Sequence, residues 1–131
     1  MERGVTVPGG NLERAVLRVL WGKGAASVRE IHTQMRGQFA LGYTTIATIL
    51  DRLHAKKLVS RRRAGLAFVY RPRVPAATVE RALARRLVER LLDPEPRPAI
   101  ARLVDAVESY DPQLLDALAR EVARRRSRRG P

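Results

Sequence analysis

Between Tyr43 and Pro72 the apolar pattern changes period, and this change constrains the fold more than any other feature of the chain. In YTTIATILDRLHAKK, residues 43–57, Ile46, Ile49, Leu50 and Leu53 fall on one stripe at about 100° per residue, which predicts an amphipathic helix. From Leu58 the period drops to two. LVSRRRAGLAFVYRP reads as two short strands, 58–62 and 67–71, joined by a turn around Ala64 and Gly65 and closed by Pro72 and Pro75.

The face of the helix opposite its stripe carries Thr44, Thr48, Asp51 and Arg52. A surface helix more often shows Glu and Lys pairs there, so hydroxylated residues at this density suggest a face that lies against something, here the major groove of DNA. Tolerance of β-branched residues is the alternative for the helix alone, and the segments around it decide. Upstream, Asn11 stands in an N-cap position before LERAVLRVLW, where Leu12, Val16, Val19 and Leu20 recur at helical spacing and Trp21 reads as a core anchor. Gly22 and Gly24 end this helix. Ser27 and Glu30 then form an S-x-x-E capping box opening a helix with Val28, Ile31 and Met35 on one face, and Gly42 can cap the helix after it. Two short helices, the second with a polar face, form a helix-turn-helix pattern; the long connection and the basic hairpin behind it make the pattern a winged one.

Charge points the same way. The net charge is +13, and residues 1–74 hold 14 Lys or Arg against 4 acids, while residues 75–131 hold 12 against 9. Five of those last 12 lie in RRRSRR near the end. An Arg-rich composition explains the preference for Arg over Lys but not this asymmetry, which predicts a polyanionic partner for the first half, most commonly nucleic acid. The chain has no cysteine, which removes disulfides, thiolate metal sites and cysteine nucleophiles together. With no long apolar run and no signal-like N-terminus, a cytoplasmic protein without a membrane segment is the default.

After the hairpin the pattern is purely helical. Val79, Leu83, Leu87 and Leu91 repeat every four residues over 76–92, with Val88 and Leu92 widening the stripe, and DPEPRP breaks it. A helix over 98–109 carries Ile100, Leu103, Val104 and Val107, and a third, capped by Asp111, carries Leu114, Leu115, Leu118 and Val122. Such stripes exceed what a small winged domain can cover, so they predict burial against a second copy of the chain; a helical bundle folded on itself is the alternative. The expected organisation is a flexible segment 1–10, a winged helix-turn-helix domain 11–75, a helical dimerisation region 76–123 and a disordered Arg-rich tail 124–131. The fold class is mostly α with a small β wing.

LERAVLRVLW, SVREIH, YTTIATILDRL and GLAFVYRP together resemble the penicillinase-repressor family, the BlaI/MecI group of winged-helix transcriptional repressors. The likeness is specific over about 11–75 and looser over 76–122. It implies a homodimer with interlocked C-terminal helices that reads a palindromic operator. The base-touching positions of the family map onto Thr44, Thr45, Ala47 and Thr48, with Arg52 near phosphate. A Thr hydroxyl can bond a base edge, and its methyl can pack on a thymine methyl. Some relatives carry longer or charged side chains at Thr44 and Ala47, which bears on the operator sequence. The resemblance also implies derepression by a sensor-linked protease that cuts the dimerisation helices; that site aligns with Leu103 and Val104, although the Asn-Phe pair of the resistance members is missing. The cysteine-based metal sensing of copper-responsive relatives is excluded.

The expected division of labour is base reading by Thr44, Thr45, Ala47 and Thr48, and phosphate binding by Arg52, Lys56, Lys57, Arg61, Arg62 and Arg63. The expected dimer interface comprises Val79, Leu83, Leu87, Leu91, Ile100, Leu103, Val104, Leu115 and Leu118. No metal, cofactor or catalytic group is expected: His32 and His54 sit on different helices outside any catalytic constellation, and Asp51 beside Arg52 reads as a solvated pair. Two other readings stay open. One is a winged module for RNA or protein, against which Phe68 and Tyr70 look like wing core, with Tyr43 unplaced. The other is a nucleoid-type protein that coats DNA without sequence preference.

Overall fold

Helix α1 (Asn11–Lys23) turns Val16, Leu17 and Leu20 inward, and α2 (Val28–Met35) and α3 (Tyr43–Ala55) close over them with Ile31, Met35, Ile46, Ile49, Leu50 and Leu53. The structure is a computed structural model and describes residues 6–130. Burying each of these aliphatic side chains is worth about 1.5–3 kcal/mol, so this cluster is the main source of stability for the surface it carries. Strand β1 (Ala26–Ser27) precedes α2, and β2 (Val59–Ala64) with β3 (Ala67–Pro72) forms the hairpin; the sheet order is β1-β3-β2, antiparallel throughout. Two residues pairing with Val69 and Tyr70 are too short to leave a period, which is why β1 escapes sequence reading.

The capping box forms as expected. Ser27 N–H donates to Glu30 Oε1 at 2.9 Å and Glu30 N–H to Ser27 Oγ at 3.2 Å. Asn11 does not cap α1. Gly10 holds that position without a side chain to offer, and Glu13 reaches back instead, accepting the Gly9 N–H at 2.9 Å. Of the segment expected to be flexible, residues 1–5 lie outside the described residues, but Pro8 is buried and Gly9 is held, so the chain is anchored before α1 begins. At the other end of α1, Gly24 takes φ +83°, where any side chain would strain the backbone, and its N–H closes on the Leu20 carbonyl at 2.7 Å. Trp21 donates from Nε1 to the Val74 carbonyl at 3.0 Å, pinning the exit of the hairpin to α1.

The hairpin turns through Gly65 and Leu66 between the paired Ala64 and Ala67. Gly65 has φ +66°, the Gly-first geometry whose twist matches the flanking strands. Tyr70 is buried in the core, and Phe68 is half-buried on the same side of the strand.

Three further helices follow: α4 (Ala76–Leu92), α5 (Pro96–Tyr110) and α6 (Gln113–Arg129). The chain divides into two compact units at Arg86 and Leu87, within α4. The first unit therefore reaches past residue 75, because Val79 is 2% exposed and belongs to its core; the expectation of Val79 at a dimer interface is corrected by this packing. In the second unit α5 packs on α6 and Ala99 is buried, but Leu87, Leu91, Ile100, Leu103, Leu114, Leu118 and Val122 remain exposed. Pro112 holds the N-cap position of α6, and Asp111, expected there, stands one residue ahead with its carboxylate accepting the Gln113 N–H at 3.0 Å. The expected disordered tail is also corrected: α6 runs on through Arg129. Glu121 bonds both Arg124 and Arg125, one turn ahead, and cations in the last turn suit the negative end of the helix dipole.

Candidate nucleic-acid interface

Apolar packing on one side of α3 decides what its other side offers. With Ile46, Ile49, Leu50 and Leu53 buried, Thr44, Thr45, Thr48, Asp51 and Arg52 are exposed. Ala47 is half-buried, so of the four expected base-reading residues it presents the least surface. Thr44, Thr45, Thr48 and Arg52 line one open depression of about 470 Å³, whose opposite wall is the start of α1, from Gly9 to Glu13. The threonine face of α3 is therefore half of a groove, a feature that the helix pattern alone does not reveal. Gly42 begins α3 without a side-chain cap, leaving its first N–H groups to solvent or an incoming acceptor.

Thr48 Oγ1 donates to the Thr44 carbonyl at 3.0 Å. Its proton is thus committed to the helix backbone, and what it presents outward is a methyl group and oxygen lone pairs. Around the turn, Lys57 has φ +63°, an uncommon conformation for a side chain other than glycine, and this kink redirects the chain from α3 into the hairpin.

The six cations expected on phosphate do not share one environment. Arg52 and Lys57 are exposed beside α3, and Arg62 is exposed on the hairpin. Lys56 instead bonds Glu13 Oε1 at 2.7 Å. Burial pushes the Glu13 carboxyl up, but the Lys56 and Gly9 hydrogen bonds and the charges of Lys56 and Arg52 outweigh it, leaving the group below its ordinary 4.5. Arg61 donates from Nη1 to Asp51 Oδ1 at 3.0 Å and lies over the Phe68 ring, 4.5 Å from its centre; Arg63 stacks beside it at 5.3 Å. Asp51, expected to form a solvated pair with Arg52, instead bonds Arg61 and ties α3 to the first hairpin strand, and Phe68 acts as the platform that aligns two arginines.

Sequence reading missed these pairings. Glu13 left a signal, since it falls on the α1 stripe with Val16, Leu17 and Leu20 and an acid on a core stripe needs a partner. Asp51–Arg61 left none, because it depends on how the hairpin folds back. His32 and Tyr43 are also placed: His32 Nε2 donates to the Leu41 carbonyl at 2.9 Å and its ring meets Tyr43 edge-on, centres 6.4 Å apart, so both hold the connection that delivers α3. No helix among the described residues is long and apolar enough to cross a membrane.

Comparison with known proteins places this geometry in context. The family model for the penicillinase repressor matches residues 9–124. The transcriptional regulator BlaI of Mycobacterium tuberculosis, in two strains, is 34% identical over 116 residues, covering 87% of this chain and 82% of the relative. Among solved structures, the DNA-binding domain of the repressor BlaI aligns with TM-score 0.49 at 23% identity, over 56% of this chain and 90% of that one. The CopR repressor structure aligns with TM-score 0.45 at 36% identity, over 53% and 97%.

Proposed function

This chain belongs to the penicillinase-repressor family of winged-helix transcriptional repressors, and from that premise we propose that it acts as a cytoplasmic homodimer reading a palindromic operator. The observation that carries the proposal is the composition of the α3 groove: three threonines and Arg52 around one open depression, with the basic hairpin strand tied to the same helix through Asp51 and Arg61. In this reading Thr44, Thr45 and Thr48, with Ala47 at the edge, contact base edges, and Arg52, Lys57 and Arg62 carry the phosphate contacts. Arg61 and Arg63 are held in place by Phe68, and Lys56 contributes less because Glu13 neutralises it.

The dimer is supported by the second unit. Leu87, at 59% exposed, Ile100, at 49%, and Leu118, at 37%, are too many large apolar groups for a free surface, and a second copy is the partner of matching chemistry. Val79 is excluded from that interface, while Leu83, Leu91, Leu103, Val104 and Leu115 remain in it. Derepression by a sensor-linked protease acting at Leu103 and Val104 completes the proposal. That bond lies inside α5, so a protease would need to unwind the helix to reach it.

Selection from random duplex DNA tests the function. Enrichment of a palindrome with two similar half-sites is the expected result; no enrichment despite tight, salt-sensitive binding would favour a DNA-coating protein, and preference for RNA would favour the other module reading. Sedimentation of Leu118→Glu should shift the species towards monomer, and a wild-type mass that is monomeric at every concentration would refute the dimer.

A further inference from the structure

A second depression, of about 520 Å³, lies on the first unit between α1 and the end of α2. Arg14 and Arg18 stand on its α1 wall, and Gln34, Gln38 and Phe39 on the opposite one. The two arginines are one helical turn apart and share a face. Among the described residues no carboxylate lines this depression, although Lys56 and Arg61 of the same unit each face an acid. Arg14 Nε is shielded from solvent and has no hydrogen-bond acceptor among the described residues. Native folds rarely leave a hidden N–H without an acceptor.

We propose that this depression seats a phosphate-type oxyanion. Two guanidinium forks supply charge and paired N–H donors that match oxygens on a tetrahedral anion, the glutamine amides add uncharged donors, and an Arg14 side chain turned out towards the anion would give its Nε the acceptor it lacks. The anion has two sources of the same chemistry: a phosphodiester of the DNA backbone, or a phosphate group on a free small molecule. The DNA source rests on the repressor reading above; the free source does not.

Two arms test the site on the intact chain. The first follows the arginine Nε–Hε resonances while inorganic phosphate replaces chloride at constant ionic strength, and uses no DNA, so its outcome is independent of the repressor reading. A saturable shift confined to Arg14 and Arg18, and abolished in Arg18→Gln, is the expected result. The second arm measures duplex affinity across a salt series for Arg14→Gln, Arg18→Gln and the control Arg97→Gln, an exposed position on α5 outside the depression. If DNA supplies the anion, the slope of log affinity against log salt falls by about 1 for each phosphate that the first two variants no longer neutralise, and stays unchanged in the control. A saturable phosphate shift with unchanged slopes assigns the seat to a free ligand, and a changed slope alone assigns it to DNA. Absence of both overturns the proposal. Arg18 is exposed, so Arg18→Gln keeps the test valid where Arg14→Gln loses stability.

Discussion

Replacing Lys56 by Met should damage the fold more than it damages DNA binding. Glu13 is 8% exposed and accepts from Lys56 Nζ at 2.7 Å and from the Gly9 N–H at 2.9 Å, while the Lys56 side chain keeps 30% of its surface. Without the ammonium, a largely dehydrated carboxylate retains one donor. A charge-assisted hydrogen bond contributes about 1.5–3 kcal/mol and breaking a fully buried ion pair costs about 3–5 kcal/mol. The partial exposure of Lys56 screens the interaction towards the lower range, so Lys56→Met should lose about 2 kcal/mol, a fall in Tm of roughly 8 °C or more. Glu13→Gln should lose about 1 kcal/mol, because an amide oxygen still accepts from both donors. In a double-mutant cycle by urea unfolding, the pair should couple by about 1 kcal/mol or more. Coupling below about 0.3 kcal/mol would refute the assignment of a structural ion pair. The pH dependence has a fixed sign. The folded pKa of Glu13 is lowered, so the contribution is complete above the ordinary 4.5 and is lost as pH falls through the lower folded value; the gap between wild type and Lys56→Met should narrow in that window. On DNA, Lys56→Met should change the salt slope less than Arg62→Ala does, and equal changes would show that Glu13 does not withhold Lys56 from phosphate.

Three other outcomes follow from single interactions. Because the Thr48 proton is used by the Thr44 carbonyl, Thr48→Val, which keeps the outward methyl and loses only the oxygen lone pairs, should retain more operator preference than Thr48→Ala, which should lose about 1 kcal/mol of it; equal losses on operator and random duplexes would remove Thr48 from base reading. Asp51 is 66% exposed at its side chain, so Asp51→Ala should change stability by no more than about 0.5 kcal/mol while raising affinity for every duplex, with a salt slope steeper by up to about 1; unchanged anisotropy titrations would mean that Arg61 was already free for DNA. Glu121 is held down to about 2 by hydrogen bonds from Arg124 and Arg125. Its support of the last turns of α6 is therefore present above pH 4.5 and lost as pH falls towards 2, which Cα chemical shifts of 124–129 should report, and Glu121→Gln should fray those turns already at neutral pH.

The sequence by itself determined the order of the elements apart from β1, and the apolar side of each helix. Period and capping residues are local quantities: a stripe at 46, 49, 50 and 53, a Ser and Glu three apart, and alternation after Leu58 act over a few residues and survive without knowledge of the rest. It also determined that the threonine face of α3 stays outside, because the apolar stripe opposite leaves it nowhere else to go. Tertiary structure decided which charges are available. Six cations look equivalent in a string, but Lys56 meets Glu13 across 43 positions and Arg61 meets Asp51 once the hairpin folds back on α3. The same holds for β1, visible only through its partner β3, and for Val79, whose place on a regular stripe gave no sign that the first core would claim it. In the Arg tail, composition argued for a solvated coil, and local pairing with Glu121 together with the growing helix behind it carried α6 to Arg129. Periodicity reports which face of an element is apolar. Which polar group meets which is set by distances between elements that no local pattern encodes.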